Sequence, residues 1–140
     1  MKIEDFKLIT NGNTQAEAFL LSYLQFCHLI DDIVDKDVEV DDKRLVQELL
    51  GFLEQCTLNP WASANFALLW PLITCAAYSW LDSNRWAKTG TDLQKQSVDT
   101  LKGQYHEVFW FTANLCGGRE HQQNITSRFR QYDYEQQTKD

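Results

Sequence analysis

The sequence predicts an all-α fold: an antiparallel helical bundle of four main helices plus a short C-terminal helix or tail. Three observations lead there. Apolar residues recur at helical spacing over long segments. Only two Pro and six Gly are present to interrupt those segments. Strand-like alternation is scarce throughout, and so an all-helical layer architecture follows.

The first helix is announced by Thr14-Gln15-Ala16-Glu17, read as a capping box with Thr14 as N-cap and Glu17 at N3. From Phe19 to Ile30 it is apolar on nearly every side, the pattern of a buried helix, and its end is placed near Lys36. The second helix starts at Asp41 or Asp42 and runs to about Cys56, with Leu45, Leu49, Phe52 and Leu53 on its inner face. Asn59-Pro60 supplies an N-cap followed by Pro at the first helical position. The third helix then runs to about Leu81, with a kink or break expected at Pro71.

Residues 82–90 read as a loop. The fourth helix starts near Thr91 or Asp92, carries Leu93, Val98, Leu101, Tyr105, Val108 and Phe109 inward, and stops at Gly117-Gly118. The polar stretch from Arg119 to Asp140 is read as a peripheral short helix or a frayed end. Residues 1–140 form one domain on the length prior. The 44% hydrophobic fraction, with five Trp, eight Phe and five Tyr, is enough for one core.

A net charge of −7 disfavours nucleic acid, whose phosphates it would repel. An anionic small molecule remains accessible if a divalent cation bridges it to the protein. Cys27, Cys56, Cys75 and Cys116 form no C-x-x-C pair, so they are read as reduced, buried thiols of a cytoplasmic protein. The segment Met1-Lys2-Ile3-Glu4-Asp5 lacks a signal peptide's basic and apolar regions, and no apolar run is read as long enough to span a bilayer.

The most informative feature is Asp31-Asp32-Ile33-Val34-Asp35. On a helix, His28, Asp31 or Asp32, and Asp35 share a face one turn apart. Carboxylates so close repel one another, and magnesium, which prefers carboxylate oxygen and is often shared with substrate phosphates, would relieve that. A solvated acidic helix end is the alternative. On the fourth helix, Asp99, Gly103 and Glu107 fall at i, i+4, i+8 on one face. Gly103 there costs about 1 kcal/mol relative to Ala, which hints at close approach of another group.

The run His28-Leu29-Ile30-Asp31-Asp32-Ile33-Val34-Asp35 resembles the first Asp-rich motif of class I isoprenoid (terpenoid) synthases. Asp99, Gly103 and Glu107 resemble the second acidic motif of the cyclase branch. The resemblance implies an α-helical bundle around an apolar cavity, in which Mg2+ holds a small-molecule diphosphate and assists its ionisation. It casts Asp31, Asp32, Asp35, Asp99 and Glu107 as metal ligands, with His28, Gly103, Lys102 and Arg85 as substrate contacts. Trp61, Trp70, Trp80 and Trp110 would offer aromatic faces to a cation, beside their ordinary role in packing. Arg128, Arg130 and Tyr132 follow the second motif but lack the adjacent Arg-Tyr pair of a diphosphate sensor. The chain is shorter than typical members. It therefore reads as a truncated relative, a homodimer that completes the cavity, or a bundle that binds metal without catalysis. A MazG-like all-α nucleotide pyrophosphohydrolase suits the length, although Glu48 and Glu54 lack that signature's spacing. The non-enzymatic alternative is a helical interaction or assembly protein that buries its aromatics against a partner.

Overall fold

The computed structural model describes the backbone of residues 1–139 and the side chains of residues 1–130. The helices run α1 (Ile3–Ile9), α2 (Thr14–Asp35), α3 (Asp42–Leu58), α4 (Pro60–Thr89), α5 (Asp92–Gln96) and α6 (Val98–Lys102), then a 3-10 turn (Gly103–His106) and α7 (Glu107–Lys139). The all-helical expectation stands. The arrangement of four main helices and a short tail does not, because there are more helices than four and the last segment, Glu107–Lys139, spans 33 residues with a break at Gly118.

The short α1 was not expected. Asp5 closes its first turn by accepting from the Lys2 backbone N–H at 2.6 Å. Its C-terminus is a Schellman turn, with Asn11 at φ 53° and the Gly12 N–H reaching the Lys7 carbonyl at 3.0 Å. The N-cap of α2 is Asn13, whose Oδ1 accepts from the Ala16 N–H at 3.0 Å. The cap thus lies one residue before Thr14, since an amide oxygen serves there as well as a hydroxyl. Asn59 caps α4, as expected, its Oδ1 accepting from the Trp61 and Ala62 N–H groups, and of the two expected starts of α3 Asp41 is the cap and Asp42 the first residue.

Three expected features of the helices differ in the structure. Residues 82–89 continue α4 instead of forming a loop, because Ser83 is buried and turns its hydroxyl back to the Trp80 carbonyl at 2.6 Å. Pro71 does not interrupt α4. It and Ala67, whose carbonyl loses its partner, both lie on the solvent side, where water can substitute. The expected fourth helix is in turn broken at Ser97 and at Gly103 into α5, α6 and the 3-10 turn.

Gly118 has φ 85° and ψ −177°, a conformation open only to glycine. Here α7 folds back on itself. Glu107 meets Arg130 at 3.4 Å, Trp110 stacks on Phe129 at 5.8 Å, and Asn114 donates to Gln122 at 3.0 Å. A straight helix would separate Glu107 and Arg130 by about 34 Å. The arms 107–117 and 119–139 therefore form a helical hairpin. The ring of His121 lies where a Cβ on Gly117 would stand, and its Nε2 sits 2.9 Å from the Ile9 carbonyl, tying the hairpin to α1.

The core is aromatic. Phe19, Tyr23 and Phe52 bring α2 and α3 together, Trp61 adds α4, and Phe6 stacks on Phe109 at 5.8 Å to join α1 to α7. Polar contacts fix the directions. Asn59 reaches the Gln15 carbonyl and Arg44 reaches Asp32, so α2 and α3 are antiparallel. Gln15 accepts from Trp61 and Asp31 from Trp80, so α4 runs alongside α2 in the same sense.

Replacing Gly118 by Ala forces a side chain into the glycine-only region and should lower stability by about 1–3 kcal/mol. The urea midpoint would report it. Phe109→Ala, which empties a wholly buried site, should cost about 3–5 kcal/mol in the same titration.

Candidate functional site

The Asp-rich segment is the last two turns of α2. Its three carboxylates have different surroundings. Asp31 is half-buried and accepts from the Trp80 indole N–H at 3.3 Å. Asp32 pairs with the Arg44 guanidinium at 2.9 Å, and Arg44 also holds Glu48 at 3.2 Å. These two partners, Asp32 first, hold the Arg44 guanidinium more firmly protonated than usual. Asp35 is exposed at the helix end, where Lys36 takes a left-handed conformation with φ 58°. His28 is exposed as well. The segment before the cluster is not buried all round, since Leu21 reaches solvent, and Ile33 and Val34 within the cluster do so too.

The second expected motif is not a single helical face. Asp99 lies exposed on α6, Gly103 opens the 3-10 turn, and Glu107 begins α7 facing Arg130. A Cβ on Gly103 would meet only the His106 ring, at 4.0 Å, so no close approach explains this glycine. Lys102 is exposed and Arg85 pairs with its helix neighbour Asp82 at 2.9 Å. Arg128 is exposed, and the side chain of Tyr132 lies outside the described residues. Among the described residues, no three His, Cys, Asp or Glu side chains are grouped to hold a metal ion. The tryptophans divide: Trp110 is buried, Trp61 and Trp80 are half-buried, and Trp70 is exposed.

An open concavity of about 310 Å³ lies between the start of α2 and the end of α3, lined by Thr14, Gln15, Ala18, Glu54, Gln55, Leu58, Asn59 and Pro60. It sits at the opposite end of α2 from Asp31, about 25 Å away along the helix axis. The two features therefore do not form one site.

Burial dominates the titration of Tyr23 and of three cysteines. Tyr23 donates from its hydroxyl to the Tyr105 carbonyl at 3.3 Å. Burial, and then the neighbouring Cys27, hold its phenol well above the ordinary range. Burial pushes the Cys27 thiol up to about 11, with a hydrogen bond to Tyr23 drawing it part of the way back. Burial also pushes Cys56 and Cys116 up to about 11. Of the four thiols expected to be buried, Cys56 is buried, Cys27 and Cys116 are half-buried, and Cys75 is exposed on α4.

The feature that motif reading missed is apolar and exposed. Only Phe52 and Cys56 of α3 are buried; Leu45, Leu49 and Leu53, expected on its inner face, reach solvent, as do Val46 and Leu50. On α4, Leu68, Trp70, Tyr78 and Leu81 do the same. From Pro60 to Leu81 there is no charged residue. By length and composition alone α4 could cross a membrane, and 17% of its most apolar window is buried. The signal was present in the sequence: Val46, Leu50 and Leu53 form a second apolar stripe on α3, beside the one that faces the core.

Two outcomes follow from the thiols. Iodoacetamide should modify Cys75 first, with Cys27, Cys56 and Cys116 protected in the folded chain, as peptide mapping would show. Cys27, Cys56 and Cys116 lose their protons near pH 9.0 when unfolded but near 11 when folded. Between those values the unfolded chain binds fewer protons, so stability should fall as pH rises, seen as a lower urea midpoint at about pH 10 than at about pH 8.

No protein-family model, no curated protein and no solved structure matches the chain.

Proposed function

We propose that this chain acts as a helical interaction module that docks through the outer faces of α3 and α4. The exposure of α3 carries this reading. Leu50 is 58% exposed, and its neighbours Val46 and Leu53 stand out beside it. Burying a leucine completely is worth about 1.5–3 kcal/mol, so a row of half-exposed ones forgoes several kcal/mol that a partner would recover. Leu68, 54% exposed, lies as far beyond the Asn59 junction on α4 as Leu50 lies before it on α3. The two helices thus offer apolar side chains at matching heights. A photoreactive amino acid at Leu50 or Leu68 should yield cross-linked adducts in cells, while one at the exposed Asp99 should not. An absence of adducts at both apolar positions would sink the reading.

A second reading, Mg2+-dependent binding of a diphosphate, draws on Asp31 and Asp35. They share one face of the end of α2, and neither enters an ion pair among the described residues. Asp32 is already committed to Arg44. Calorimetry with Mg2+ and pyrophosphate should give a binding heat that Asp31→Asn/Asp35→Asn abolishes. A wild-type titration without heat would rule this reading out.

A further inference from the structure

We infer that the occupant of the α3 face is a second copy of this chain, paired antiparallel across a two-fold axis. The inference rests on the interaction-module reading and gives that module its partner. Charge is arranged around the stripe in a self-complementary way. Val46, Leu50 and Leu53 stand on the outward side of α3, and Lys43 and Glu54 border them at opposite ends. Three turns separate Lys43 from Glu54, so both project from the same side of the helix. Both are exposed, and neither enters any ion pair among the described residues.

A two-fold axis through the middle of α3 sets Lys43 of one copy against Glu54 of the other, twice. It also lays Val46 and Leu53 of one copy against Leu53 and Val46 of the other, with Leu50 beside the axis. An isologous interface demands this self-complementarity, in which residue i meets j while j meets i. A parallel pairing would instead oppose Lys43 to Lys43 and Glu54 to Glu54. The chain's net charge of −7 gives an anionic lipid surface no comparable attraction.

The test is light scattering and sedimentation equilibrium on the full chain, with circular dichroism as a check of folding. The wild type should have twice the 16.4 kDa mass. Leu50→Glu should be monomeric and equally helical. Lys43→Glu and Glu54→Lys should each weaken the dimer by roughly tenfold through two repulsive pairs. The double variant Lys43→Glu/Glu54→Lys should recover wild-type affinity, which no unrelated partner and no parallel pairing would produce. A monomeric wild type overturns the inference, as does a dimer indifferent to Leu50→Glu or a double variant that fails to recover. A wild-type monomer that floats with phosphatidylcholine vesicles overturns it in favour of lipid. Adducts at Leu50 and Leu68 with a different protein overturn the second copy but leave the module reading standing, whereas no adducts overturn both.

Discussion

The ring of Tyr23 packs where the separate parts of the chain meet. It lies against Phe19 on its own helix, Phe52 on α3 and Phe109 on α7, at centroid distances of 6.3, 6.3 and 5.9 Å. Its hydroxyl is anchored on the Tyr105 carbonyl of the 3-10 turn. A buried phenol needs a partner for its O–H, so the position of that turn is tied to the position of α2. From Phe109 the contact passes to Phe6 and thus to α1, and from Phe52 to Phe26 at 4.3 Å. Aromatic pairs of this kind add roughly 0.5–1.5 kcal/mol each beyond the area they bury, which suits a small domain with limited core volume.

That concentration of large rings at one centre has a consequence for the rest of the surface. The rings draw α2, α7 and one edge of α3 and α4 inward, and the outer edges of α3 and α4 keep apolar side chains exposed. The same helices therefore pack the core with one side and present apolar side chains to solvent with the other. The polar staples that hold them lie at the ends: Arg44 between Asp32 and Glu48 at one end, Asn59 between Gln15 and Gln55 at the other. Between those staples the outer apolar stripe is uninterrupted, and the Asp-rich end of α2 is partly engaged in holding the bundle together.

Local physics made much of the backbone legible. Asp41, Asn59 and Thr91 cap helices where their side chains and the following residues lead one to expect it, and Asn59-Pro60 starts α4. The structure departs from local expectation where local signals compete. Thr14 and Asn13 are both good caps, and only the geometry of the turn after Gly12 selects Asn13. The seven residues of α1 are too short to show a clear period, and α1 owes its place to Phe6 and Ile9 entering the core. Asp82-Ser83-Asn84 reads as a loop on propensity alone, but packing of Ser83 and its bond to the Trp80 carbonyl carry the helix through. Gly117-Gly118 does end a helix. That the next helix doubles back onto it depends on Trp110 meeting Phe129, a contact invisible in local spacing.

By itself, the sequence determined that the chain is helical, where three of its helices are capped, that Pro and Gly leave it long uninterrupted segments, and that acidic side chains cluster at the end of α2. These follow from backbone dihedral preference and hydrogen bonding within a few residues. Only the tertiary structure decided what the carboxylates do, because that depends on neighbours distant in sequence: Asp31 faces Trp80, Asp32 faces Arg44, and Glu107 faces Arg130. It also decided which of two apolar stripes on α3 enters the core. Hydrophobicity marks both Leu50 and Phe52 for burial, but one helix in a small bundle turns only one side inward, and the other is left to meet whatever lies outside the chain.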